Sequence, residues 1–371
     1  MRPAFDSPRQ AAAFTMLLLL LLAAPWLTAK TSFSRQAQTY SAESIRWENY
    51  PWIQKTIFEE TNDIDIAFIG SSHMTLGIDT PYVQQQLDER LGRKTVVRSV
   101  SWLGGGYDEL YFAAKELLAH RRVKTLVFYD ESSSPKADEP NDTAPHWFRY
   151  GDDGGLLAGL PLRQQSVYYF AAVIGMPRNL LNWVIPGLPE DPNRPIPTFA
   201  ETRNLAVNPE TRLGSVSAHL GFDPDFMANT NFVVFVPQTG TTSADFRMYQ
   251  PGTNSSYVFS NRPLPDWQIF FARQFARLAQ RQGCHLVLLH LPEFTERSSP
   301  VMVEARDWPG LCQTDMAMMG IPPGRLFAGL SEGEVKLLYA DPGHLNENGQ
   351  RYFTRLIAPG LIQYYESCAL H

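Results

Sequence analysis

The chain has 371 residues, 44% of them hydrophobic and 19% charged, an ordinary globular composition with room for one large domain or two modest ones. Its formal net charge is -6 and no long run of Lys and Arg occurs, which argues against a nucleic-acid partner. The three cysteines, Cys284, Cys312 and Cys368, form no CxxC and no metal-ligand spacing, so the sequence implies neither a metal nor a cofactor.

Residues 11–29, "AAAFTMLLLLLLAAPWLTA", carry no charge and are about as long as a bilayer core is thick. Arg2 and Arg9 precede them. A cleaved signal peptide would need small residues three and one positions before the cut, and Leu27 fits that requirement badly. Length and flanks favour a retained anchor, with the rest of the chain outside the cytoplasm, or secreted if the segment is removed. The expected division is an anchor over 1–29, a polar stem over 30–62 and an α/β domain over 63–371.

A short helix is expected near residues 45–60. From Ile64 the pattern alternates. Ile64–Ile69 is an apolar run ending at Gly70 and reads as a buried strand. Tyr82–Leu91 reads as a helix, Thr95–Ser101 as a second strand, Tyr107–His120 as an amphipathic helix and Val123–Asp130 as a third strand. Residues 131–265 differ: they hold more than half of the 28 prolines, so an irregular insertion capping the sheet is expected there. Within it, Ser166–Gly187 is apolar. It reads either as a membrane or acyl-chain surface or, preferably, as the insertion's own small core. Trp267–Gln282 then reads as a helix, Cys284–Pro292 as a fourth strand, and helices are expected near residues 300–308 and over 347–366.

Strands apolar almost throughout, separated by helices, predict a parallel sheet covered on both faces. In such sheets ligands sit beyond the carboxyl ends of the strands. Gly70-Ser71-Ser72, residues 99–106 and Asp130-Glu131 are therefore expected on one rim.

Near the C-terminus, "DPGHLNENG" places Asp341 three residues before His344, on a turn favoured by Pro342 and Gly343, with Asn346 as the N-cap of the last helix. A serine nucleophile needs a base to take its proton, and a carboxylate fixes the tautomer of a histidine base. Ser72, on a tight turn after a strand, would place its hydroxyl at the rim and its N–H near a developing oxyanion. A helix cap is the competing role for Ser72. His73 reads as a rim residue whose side chain diverges from that of Ser72 and contacts substrate or serves the fold. For His285 and His290 a packed, hydrogen-bonded role is expected.

A strand followed by "GSS", and far downstream Asp-x-x-His-Leu-Asn-x-x-Gly at Asp341, His344, Leu345, Asn346 and Gly349, resembles the SGNH (GDSL-type) hydrolase superfamily. The resemblance spans about 64–130 and 267–366. It implies a flavodoxin-like three-layer α/β/α sandwich and acyl-ester chemistry with Ser72, His344 and Asp341 as catalytic residues. It also implies a second oxyanion donor at Gly104 or Gly105. The asparagine that the superfamily carries after its third strand is absent; Asp130 stands there, and its expected contact is either substrate hydroxyls or the local backbone. With an anchor and a large insertion, the chain is similar to envelope-associated members that act on acylated glycans or polymers, often beside a membrane-bound O-acyltransferase. Two other readings stay open at this point: a catalytically silent accessory protein, and a lipase-like esterase on membrane lipid.

Overall fold

The computed structural model describes residues 5–28, 53–101, 106–129, 150–170, 173, 264–294, 296, 308–321, 326–327, 329–341 and 343–369. They divide into two compact units, one from Met1–Ile45 with Glu139–Pro195 and one from Arg46–Asp138 with Ile196–His371. The insertion expected over 131–265 is thus shared between the units, with Glu139–Pro195 grouping with the N-terminal segment.

In the first unit, α1 (Pro8–Thr28) is a single helix, and its Pro8–Leu27 stretch is long and apolar enough to cross a membrane. Helix α5 (Tyr150–Leu157) packs against it, and residues 162–170 form α6. Leu157, Leu160, Tyr168 and Val173 are buried, so this unit has a small core of its own.

The second unit is an α/β structure. After a π-type turn, Lys55–Glu59, come β1 (Ile64–Gly70), α2 (Ser72–Gly77), α3 (Thr80–Leu91), β2 (Val97–Ser101), α4 (Tyr107–His120) and β3 (Val123–Tyr129). The chain resumes with α7 (Asp266–Arg281), β4 (His285–Leu289), α8 (Trp308–Cys312), β5 (Ala317–Met319), α9 (Glu332–Lys336), the hairpin β6 (Tyr339–Asp341) and β7 (His344–Leu345), and α10 (Glu347–Ala369). The five-stranded sheet has the order β2-β1-β3-β4-β5, and all its pairings are parallel.

Every residue of β1 is buried because the sheet is covered on both faces. Alternate residues serve opposite layers. Ile66, Phe68, Val127, Val287 and Leu289 share a core with Met74, Val83, Leu87 and the α10 residues Phe353, Leu356, Ile357 and Leu361. On the other parity Phe128 meets Phe275 of α7 edge-on, ring centroids 5.0 Å apart, and α7 lies along α4. The strand ends differ slightly from the sequence expectation. β2 starts at Val97, β4 at His285, and α10 runs on to Ala369. Strand β5 and helix α2 were not expected; with three and six residues they are too short to show a period. Of the helix expected over 300–308, all but the last residue lies outside the described residues, and α8 begins at Trp308.

At the amino ends of the strands, buried Asp65 accepts hydrogen bonds from Arg93 Nη2 at 2.8 Å, Lys124 Nζ at 2.9 Å, Tyr365 Oη at 2.5 Å and Val96 N–H at 2.9 Å. Burial pushes its carboxyl up, but these four donors together outweigh burial and hold it well below the usual carboxylate range. The network ties α10 to β1 and β3. A lowered folded-state pKa contributes stability above the unfolded value near 3.9, and that stability is lost as pH falls through the folded value. Asp65→Asn is therefore expected to cost about 1.5–3 kcal/mol at pH 7, as for hydrogen bonds to a charged group. Its deficit against the parent should shrink once pH drops below about 4, where the carboxylate of the unfolded parent takes up a proton while that of the folded parent stays ionised. Thermal unfolding of both proteins in detergent at pH 7 and pH 3.5 checks this.

Candidate active site

Two loops from opposite ends of the sequence meet at the carboxyl rim. β1 ends at Gly70, and the chain turns directly into α2. The N-cap of α2 is Ser71: its carbonyl accepts from Met74 N at 3.0 Å and Thr75 N at 3.1 Å, and its hydroxyl accepts from His73 N at 3.4 Å. The cap role weighed for Ser72 belongs to its neighbour. Ser72 is the first helical residue, half-buried, with an N–H among those a helix leaves without an intrahelical acceptor.

The second loop is the β6–β7 hairpin. Asn346 N–H donates to Leu338 O at 2.9 Å, and its side chain donates to Leu337 O at 2.8 Å. The same side chain caps α10 by accepting from Asn348 N at 2.9 Å and Gly349 N at 3.1 Å. One asparagine thus closes the hairpin and starts the helix, which accounts for the Leu-Asn-x-x-Gly spacing in physical terms. In the hairpin ladder His344 lies opposite Asp341. The Asp341 side chain lies outside what is described.

The two loops are bolted together by α10. Gln350 Nε2 donates to Ile78 O at 2.8 Å and Thr75 O at 3.2 Å, and Thr354 Oγ1 accepts from Asp79 N at 2.9 Å. From the other side, buried Thr75 meets Ser101 at the end of β2, Oγ1 to Oγ 2.5 Å, and Ser101 meets Ser99 at 2.6 Å. Within this frame Ser72 Oγ sits 2.8 Å from His344 Nε2, across 272 residues of sequence. This is hydrogen-bond distance for a nucleophile and its base.

His73, read in the sequence as a rim residue, lies beside the base. Its ring lies flat against His344, centroids 4.3 Å apart and planes 25° apart, with Tyr129 of β3 stacked on it at 5.1 Å and 22°. Consecutive helical side chains point about 100° apart. Ser72 and His73 therefore do diverge, yet the second wraps onto the partner of the first. Tyr129 and Gln350 were missed in the sequence because their roles depend on non-local contacts; only Tyr129's place at a strand end hinted at one.

Of the other expected site residues, Gly104, Gly105 and Asp130 lie outside the described residues. His290 is buried and bonded to Glu296, Nε2 to Oε2 2.9 Å, as a packed histidine should be, and His285 is exposed at the start of β4. All three cysteines are free thiols; burial pushes Cys284 up to about 11 and Cys312 up to about 12, so both are unreactive. Among the described residues no group of three His, Cys, Asp or Glu is placed to hold a metal ion.

No protein-family model matches the chain, and a comparison with curated proteins finds no significant match. The functional reading therefore rests on the residues themselves.

Proposed function

We propose that this protein is a serine-dependent acyl-ester hydrolase or O-acyltransferase of SGNH-like type, held on the outer side of a membrane by α1 and acting on an acylated envelope glycan or polymer. The observation that carries the reading is the 2.8 Å contact between Ser72 Oγ and His344 Nε2. The strand order 2-1-3-4-5, that of flavodoxin-like sheets, supports the SGNH-like reading of the domain. Packing of α5 on α1 supports retention of α1, since a cleaved leader has no need of a partner helix. Arg2 before it and Arg9 in its first turn favour the cytoplasmic side for the N-terminus.

In the proposed mechanism Ser72 Oγ adds to the acyl carbonyl as His344 Nε2 takes its proton. Asp341, opposite His344 in the hairpin, is assigned the role of holding the proton on Nδ1 so that Nε2 accepts. The Ser72 N–H, with Gly104 or Gly105, receives the oxyanion. Collapse expels the alcohol, which takes the proton back from His344 and leaves an acyl-Ser72. A water or acceptor hydroxyl then attacks, gives its proton to His344, and frees Ser72 with that proton. Water makes the protein an esterase; a sugar hydroxyl makes it a transferase. Asp130 is assigned to the substrate hydroxyls.

Reaction with a fluorophosphonate probe tests the reading. The intact mass should rise by one adduct, and fragmentation should place it on Ser72. Absence of any adduct on the folded protein would overturn the enzymatic reading and leave the accessory one.

His73 is a positioning residue in this scheme. The Tyr129–His73–His344 stack fixes the plane of the base, and stacked aromatic pairs contribute about 0.5–1.5 kcal/mol. His73→Ala should lower kcat by up to about tenfold with little change in KM. His73→Phe, which keeps the stack, should restore most of the loss; failure of Phe to rescue would assign His73 a different role.

A further inference from the structure

The first unit carries exposed apolar side chains that its own fold leaves uncovered. On α6, Tyr168 is 0% exposed, whereas Phe170 is 53% and Val167 40% exposed, and Leu162 at its start is 81% exposed. The helix therefore splits its apolar residues between the unit's core and its surface. An exposed leucine alone is ordinary; what matters is where this helix is attached.

Tyr169 donates its phenol to the main-chain carbonyl of Leu22 in α1. Leu22 precedes the end of α1 at Thr28 by six residues, about 9 Å along the axis at 1.5 Å per residue. The 20-residue stretch Pro8–Leu27 fills a hydrocarbon core about 30 Å thick. A partner of Leu22 therefore lies below the surface of that core, near the end where α1 emerges. At that depth a phenol hydroxyl without an acceptor would be costly, and the Leu22 carbonyl supplies one. Phe170 and Val167 lie one and two residues from Tyr169 on α6, and Arg163 is exposed near the start of that helix.

We infer that α6 is a second membrane contact, embedded beside α1 in the half of the bilayer nearest the C-terminal end of α1, with Val167 and Phe170 in lipid. This rests on the proposed retention of α1 as an anchor. Lipid is the occupant that continuity with α1 selects: the same apolar phase that surrounds the exposed leucines Leu17 and Leu19 would surround Phe170.

The test places a nitroxide label, one at a time, at Leu19→Cys, Val167→Cys, Phe170→Cys and Gln85→Cys in a Cys368→Ser background. The full-length protein is reconstituted in phosphatidylcholine nanodiscs. Collision rates with oxygen, which concentrates in lipid, and with a water-soluble nickel chelate report the surroundings. Labels at positions 167 and 170 should favour oxygen several-fold, as at position 19, with the reverse at position 85 on the exposed face of α3. Nickel access at 167 and 170 equal to that at 85, with 19 still in lipid, overturns the inference and spares the anchor. Shielding of 167 and 170 from both reagents also overturns it, by showing a protein neighbour. Water contact at 19 removes the anchor reading, and the inference with it.

Discussion

Ser72→Ala should abolish fluorophosphonate labelling and lower turnover of a small acyl ester by up to about 10⁶-fold, the loss seen when the nucleophile or base of such a pair is removed. The fold should survive the change. The N-cap of α2 is Ser71, so loss of the Ser72 hydroxyl removes no cap, and Ser72 is half-buried at a rim where truncation leaves no sealed cavity. Ser71→Ala is the informative neighbour: it should cost about 1 kcal/mol of stability through the lost cap while the protein still labels at Ser72. His344→Ala should lower turnover about as much as Ser72→Ala. The double variant should be no worse than either, because the two atoms 2.8 Å apart act as one proton-transfer unit. Additive losses, or a Ser72→Ala protein that still turns over ester, would show that the contact is structural. Hydrolysis and transfer separate in the same assay: an acceptor polyol that speeds release of the alcohol while diverting the acyl group from water marks a transferase.

The parts of this fold legible in the sequence are those whose physics is local. β1 and β3 are apolar beyond the polar residues Asp65, Lys124 and Thr125 near their amino ends because both sheet faces are covered, and α3 is announced by Asp79 as N-cap, Pro81 in its first turn and Gly92 in the left-handed conformation at its end, φ 64°. The pairing of Ser72 with His344 was readable only because each sits in a recognisable turn; nothing in either segment alone specifies the other. What stayed hidden is non-local. Which of two adjacent serines caps α2 depends on a backbone turn that both would permit. The stack of His73 between Tyr129 and His344 joins three elements, and no spacing in the sequence encodes it. The apolar segment from Ser166 showed one pattern for two environments: Tyr168 went to a small core while Val167 and Phe170 stayed outside. Periodicity cannot make that distinction when the alternative to core is lipid.

Gly349→Ala should destabilise the protein by about 3 kcal/mol, at the upper end for overpacking, and should disable the site as well. On an exposed helix the same exchange would stabilise, since Ala is favoured over Gly by up to about 1 kcal/mol. Here a Cβ would lie 2.0 Å from Leu338 O, 2.8 Å from Leu345 Cδ2 and 3.0 Å from Leu338 C. The first of these contacts is with backbone, and that carbonyl already accepts the Asn346 N–H at 2.9 Å, so it cannot swing aside without opening the hairpin. The alternative is for α10 to retreat. Gln350, the next residue, would then draw away from Thr75 O and Ile78 O, and the bolt between the Ser72 and His344 loops would loosen. Either response displaces His344 relative to Ser72, and a misplacement of about 1 Å costs on the order of 10²-fold in rate. Gly333→Ala in α9 is the control: no atom lies within 4 Å of its added Cβ, so it should be neutral or slightly stabilising. Thermal unfolding and ester turnover of the two variants decide the matter. If Gly349→Ala matched Gly333→Ala in both, the close approach of α10 to the hairpin could not be what holds the base against the nucleophile.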